Sequence, residues 1–182
     1  MSFEAGRDTA AQVLAKLITV DGDGSGLDAD SVDGLTNVGK VLQIVMVEDS
    51  TKRSTTAQIP VDNTIPQSDE GSAWASVSFT PVNSSSTIYI TVSAQINNTD
   101  WYGVIAIFTS GSTNAEAAVL QNASDGVLTC ACSLAGWSGA RTISSRFGNS
   151  NAGFTTLLNQ RSDTINFGAI PHSTLTIIEE SP

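Results

Sequence analysis

Little in this chain can do covalent chemistry. It has two cysteines, Cys130 and Cys132, and one histidine, His172, in 182 residues. Two cysteines are too few for a disulfide scaffold. With a single histidine they are also too few for a soft-ligand metal site. Charge is sparse too, at 14% of residues. Solubility must therefore come from Ser, Thr, Asn and Gly, a composition that suits extended all-β surface modules better than ordinary cytosolic enzymes. Basic residues are scarcest: 8 Lys and Arg stand against 18 Asp and Glu, for a net charge of −10. No basic cluster exists beyond Lys52-Arg53, and such a balance repels phosphate backbones, which argues against a nucleic-acid partner. No apolar run approaches the roughly 20 residues of a membrane span, so membrane insertion is not expected. The opening residues, MSFEAGRDTAAQ, lack the basic-then-apolar pattern of a signal peptide; assembly in a cytoplasm is the expectation.

What is present falls into two parts. The length fits one main domain with a small appendage. Glu4, Asp8, Asp21, Asp23, Asp28, Asp30 and Asp33 face only Arg7 and Lys16, so residues 1–35 hold half of the net charge. Asp8 or Thr9 can cap a short helix reaching about Leu17. Ala10, Val13, Leu14 and Leu17 form its apolar stripe. Two or three turns are not stable alone, so Val13, Leu14 and Leu17 are expected to dock on a larger structure or on sister chains. Asp21 to Gly26 reads as a flexible spacer.

From Lys40 onward the chain reads as strands. In Thr87 to Ile96, Ile88, Ile90, Val92, Ala94 and Ile96 alternate with Tyr89, Thr91, Ser93 and Gln95, a period of two. Ala73 to Thr80 repeats the pattern, with Ala75, Val77 and Phe79 inward. Val41 to Val47 and Val104 to Phe108 are apolar on both faces and predict strands covered on both sides. Further strands are expected at Thr55 to Ile59, Ala117 to Gln121, Val127 to Leu134, Thr142 to Phe147, Thr164 to Ile170 and Leu175 to Glu179. Gly, Asn, Asp and Ser clusters separate them. About ten strands without a long helix predict an all-β fold, an antiparallel β-sandwich of jelly-roll type, preceded by the short helix and linker.

Four groups of residues merit weighing as sites. Asp21-Gly-Asp-Gly-Ser-Gly26 matches the first half of a calcium loop. The second half fails, because Val32 stands where a bidentate Glu belongs. No cofactor is expected, beyond room for a weak, irregular Ca²⁺ site at Asp21, Asp23, Asp28 and Asp30. Cys130 and Cys132 share one face of a strand and read as small buried hydrophobes. The acids outside the linker, Glu48-Asp49, Asp69-Glu70, Asp100, Asp125 and Asp163, sit in loops and strand ends with no motif that would raise a pKa, so no catalytic residue is expected. The aromatics remain. Trp74 reads as packing. Trp101-Tyr102 follows the turn Asn97 to Asp100. Trp137 lies in a small-residue loop, Leu134 to Arg141, that gives it little local cover. Exposed rings near Asn, Ser and Arg suit sugar faces or protein partners, which makes Trp101, Tyr102, Trp137 and Arg141 the candidate ligand residues.

The stretch Leu17 to Leu35, and above all its core Gly26-Leu-Asp-Ala-Asp-Ser-Val-Asp-Gly34, resembles the connecting pieces of bacteriophage tail and head fibres. The likeness covers some 20 residues; the remainder agrees in style, with short Ser/Thr-rich strands and an apolar last strand. The resemblance implies a virion fibre or spike subunit assembled as a homotrimer. Residues 1–35 would attach it to other virion proteins, and a β-sandwich tip, residues 36–182, would engage a host cell-surface glycan or envelope protein. Two alternatives stand beside it. One is a purely structural decoration or fibre-joining protein; the other is a polysaccharide-cleaving spike, which would need an acid pair in a groove.

Overall fold

The computed structural model describes residues 31–32, 35–36, 40–98, 100–122, 125–160 and 172–182. The expected helix and its stripe Val13, Leu14 and Leu17, the acids Asp21, Asp23, Asp28 and Asp30, and the strand expected at Thr164 to Ile170 lie outside these residues. Contacts divide the chain into two compact units, Met1–Lys40 with Pro182, and Val41–Ser181. In the first, β1 (Ser31–Val32) pairs antiparallel with β2 (Leu35–Thr36). The two intervening residues are Asp-Gly, a composition that two-residue hairpins favour.

The second unit is a sandwich of two antiparallel sheets, with no helix among the described residues. One sheet holds β5 (Ser72–Phe79), β10 (Arg141–Asn149), β7 (Gly103–Thr109) and β8 (Ala117–Gln121), in that order. The other is built on β6 (Thr87–Asn98). One edge of β6 is taken along its length by β9 (Asp125–Ala135). The other edge must therefore carry both remaining partners in succession. β12 (Ser173–Glu180) covers Thr87 to Ser93, and β11 (Thr156–Leu158) covers Ile96 to Asn98. Outside these run β3 (Val41–Asp49), paired with β12, and β4 (Arg53–Thr55), paired with β11. Counting β3 with β4 and β11 with β12 as single ranks gives eight ranks, ordered 1-8-3-6 and 2-7-4-5. That double crossing is a jelly roll.

The core follows from alternation. Ile88, Ile90, Val92, Ala94 and Ile96 are all at most 2% exposed, and they meet Ile105, Ile107, Ile143 and Phe147 from the facing sheet. Trp74 joins them against the parity of its strand. Ser145 and Arg146 pair with Ala75 and Ala73, which leaves Trp74 as the extra residue of a bulge. The bulge turns its ring inward, where Nε1 donates to Ser145 Oγ at 2.9 Å.

β7 is buried at every position, as its two-sided apolar pattern predicts. Its second face is covered by the segment between β4 and β5. Ile59 donates its N–H to Asn149 O, and it packs with Val104, Ala106 and Phe108 in a second small core. Arg146 ties this strap down through the carbonyls of Glu70 and Gly71, at 2.6 and 2.8 Å. Gly71 sits at φ +64°, and a Cβ there would meet Ile59 Cδ1 at 2.7 Å, so the strap closes only with glycine. The same expectation fails for Val41 to Val47. Val45 and Val47 pack on the core, but Val41, Ile44 and Met46 stay exposed, because β3 is the edge rank and no strap among the described residues crosses its outer face.

One carboxylate holds the end of the sandwich at which β3 starts and β12 finishes. Glu179 is fully buried. It accepts the N–H groups of Val82 and Asn83 at 2.9 and 3.0 Å and the Gln43 amide at 2.6 Å. Burial pushes its pKa up, but the donors from Val82, Asn83 and Gln43 outweigh burial and hold it below the usual 4.5. A lowered carboxyl stabilises the fold above its unfolded value and ceases to do so as pH falls through the folded one. We therefore expect stability to decline below about pH 4.5, the ordinary glutamate value. Glu179→Ala should cost about 3 kcal/mol at neutral pH, since it leaves several donors without an acceptor. Its pH profile should be flatter, not flat, because Asp49 is lowered as well. Urea unfolding from pH 3 to 7 checks both; an unchanged slope in the variant would remove Glu179 from this role.

Candidate functional site

β6 ends at Asn98 and β7 begins at Gly103, so Trp101 and Tyr102 sit in the tight connection between the two sheets. β11 pairs Thr156 with Asn98, which brings the β10–β11 turn against the same connection. The two turns are bonded together. Ser150 donates its N–H to Tyr102 O at 2.8 Å, Tyr102 donates to Ser150 Oγ at 3.2 Å, and Asn149 Nδ2 donates to Asp100 O at 2.9 Å. Gln58, from the strap, donates to Ser150 O at 2.9 Å.

This scaffold fixes an unusual presentation. Trp101 sits at φ +64°, in the left-handed region that bulky side chains avoid. The conformation costs about 1–2 kcal/mol and persists where the surroundings over-determine it. Trp101 is 54% exposed. Phe154 backs it at a centroid distance of 6.2 Å and a tilt of 56°. Trp101, Tyr102, Val61, Ser150 and Asn151 line a depression of about 190 Å³. An aromatic face beside hydroxyl and amide groups can stack on an apolar surface and bond to its polar rim.

The other two sequence candidates lie elsewhere. Thr87 pairs with Ala135 and Asn97 with Asp125, so Trp137 and Arg141 flank the opposite end of β6 from Trp101. Trp137 is 6% exposed. Its cover is one remote and one local residue: Phe79 meets it edge-on at 5.9 Å, and the guanidinium of Arg141, four residues on, lies 5.0 Å from its ring centroid. The ring is therefore packing, and it offers no free face to a ligand. Arg141 itself is exposed and borders a separate hollow with Thr109, Ser110 and Glu116.

Val61, Ser150, Asn151 and Phe154 were not legible as site residues. The turn signal at Gly148 to Asn151 is visible in the sequence, but its meeting with Trp101 depends on the β6–β11 register.

The remaining chemistry is quiet. Cys130 and Cys132 both face inward on β9 without a disulfide. Burial pushes each thiol up to about 11, which keeps both protonated at neutral pH. Asp49 is engaged by Arg53 at 2.9 Å. Among the described residues no group of three or more His, Cys, Asp or Glu is arranged to hold a metal ion.

No family model matches this chain, and no curated protein does either. Solved structures with a distant likeness include the C-terminal domain of EclA, a sugar-binding protein, at 8% identity over 60% of this chain and 74% of that one, TM-score 0.36. Eiger TNF from S. frugiperda shares 12% identity over 76% of this chain and 93% of its own, TM-score 0.38. The VP2 subviral particle of infectious bursal disease virus shares 12% identity over 86% of this chain and 41% of that one, TM-score 0.36. Likeness at these scores is too slight to bear on function, and the jelly roll assigned above rests on strand order alone.

Proposed function

We propose that the chain is a non-enzymatic attachment subunit of a fibre or spike on a phage-like particle, assembled as a homotrimer, whose jelly-roll body binds a cell-surface glycan at the Trp101 end. The observation that carries this reading is the exposed Trp101, held at a left-handed backbone position beside a depression lined by Tyr102, Ser150 and Asn151. Its place in the body supports it. The chain enters the sandwich at Val41, whose partner Glu180 pairs in turn with Thr87. Trp101 follows the far end of β6. At about 3.3 Å per residue, the 12 residues of β6 separate the two ends by roughly 35 Å. Within the sandwich, the Trp101 end thus lies opposite the point where the chain enters.

The outer face of the six-stranded sheet supports self-association. Ile44 pairs with Ile178 and Ile178 with Tyr89; the next rung is Met46, Thr176 and Thr91. Neither rung carries a carboxylate or a basic side chain, in a chain of net charge −10. Tyr89 donates its hydroxyl to Glu180, so a carboxylate borders these rungs. Exposed apolar side chains such as Ile44 and Met46 are where association is expected. Several copies on one particle would add individually weak contacts into firm adhesion.

Two outcomes are expected. Trp101→Ala should abolish retention on a glycan array, at unchanged thermal midpoint; full retention would remove Trp101 from the site. Light scattering at micromolar concentration should give three times 18.9 kDa for the intact chain, and Met46→Glu should lower the mass to one copy. A monomeric parent would sink the trimer and move weight to a structural decoration protein that works singly.

A further inference from the structure

The Trp101 depression shares a lining residue with a second one. Val61 lines both, and the second, of about 150 Å³, is lined also by Pro60, Pro66, Thr64 and Leu120. The connection is built into β7: Tyr102 leads into this strand, and Val104, two residues on, pairs with Leu120 of β8. The second depression has stiff apolar walls, two of them proline, and a hydroxyl at Thr64. Such walls lose little conformational entropy on binding.

We infer, on the reading of the Trp101 end as a glycan site, that its ligand is an uncharged oligosaccharide at least two rings long, laid across Val61. Length follows from two adjoining depressions with one shared wall. Charge follows from the rim. Among the described residues neither depression is lined by a lysine or arginine. Asp62 borders the second, and its carboxylate accepts the Thr64 N–H and hydroxyl at 2.7 and 2.5 Å. Those bonds hold its pKa below the ordinary value, so it is an anion at neutral pH. Asp100, exposed, precedes Trp101. An acidic sugar would meet the Asp62 carboxylate and no lining cation. A neutral pyranose chain presents alternating apolar faces and hydroxyl edges, which the tryptophan ring, the proline walls and the Ser150, Asn151 and Thr64 side chains complement.

The test is calorimetric titration of the intact chain with neutral gluco-, galacto- and manno-oligosaccharides of one to four rings, beside oligogalacturonate and oligosialate of equal length. Affinity for one neutral series should rise at least tenfold between one ring and three, and the acidic series should not bind. Leu120→Asp should remove that gain while leaving the single-ring affinity, and Trp101→Ala should remove both. Both side chains are about half exposed, 45% and 54%, and the variants are checked by an unchanged unfolding midpoint; Leu120→Ser replaces the aspartate if that midpoint falls. Affinity independent of length, a length gain that survives at Leu120→Asp, or equal binding of acidic oligomers would overturn this inference while leaving a glycan site at Trp101. Absence of binding to every oligosaccharide would overturn the glycan reading and this inference with it.

Discussion

One face of β6 constrains the rest of this molecule. Its inward row of Ile88, Ile90, Val92, Ala94 and Ile96 is sealed from water along the whole strand. Each buried isoleucine contributes about 1.5–3 kcal/mol of hydrophobic stabilisation. A slip of one residue would turn all five to solvent, so the register of β6 is strongly specified. Both edges inherit that register. β9 follows it on one side, and β12 and then β11 on the other. Fixing β11 fixes the turn before it, and that turn carries Ser150 and Asn151 to Trp101. The candidate site is therefore a remote consequence of a packing constraint, although none of its residues belongs to the alternating row.

That dependence explains what could be read from the sequence. Alternation is local, so β6 and β5 were legible with their inward faces and β12 as a strand, and the all-β sandwich followed from them. Two-sided apolar runs were ambiguous. Val104 to Phe108 and Val41 to Val47 look alike in sequence, yet one is covered by a strap and the other lies at an edge. The difference rests on residues 56–71, whose polar and proline-rich composition gives no sign that Ile59 seals a second core. β11 has three residues and no periodicity to detect. Trp74 was legible as packing, but not the bulge that turns it inward.

The candidate site was half legible for the same reason. Trp101 and Tyr102 stand out as aromatics after a turn. Val61, Ser150 and Asn151 come from segments some 40 to 50 residues away on either side, brought together by sheet register and by the strap. Trp137 misled because its loop is made of small residues. The cover that buries it comes from Phe79, which lies 58 positions earlier, and from Arg141 laid over the ring. Exposure of an aromatic cannot be judged from its sequence neighbours when a facing sheet supplies the contacts.

The two ends of the sandwich spend free energy differently. At the Val41 end, Glu179 gathers donors from the β5–β6 connection and from β3, and Trp137 fills the space beside Phe79. The first satisfies a buried carboxylate; the second buries a large ring, at the cost of a Trp137 Nε1 that finds no acceptor among the described residues. At the Trp101 end the backbone is held in a left-handed conformation and a large ring is left in water. Each of these lowers stability; the hydrogen bonds of Asn149, Ser150 and Gln58 that hold the turns offset the cost, and Phe154 gives the ring partial cover. Strained exposure suits a stacking surface, because a side chain whose backbone is already held loses less entropy when a ligand arrives. The asymmetry between the ends is thus itself an argument that one end is built for holding the body together and the other for contact.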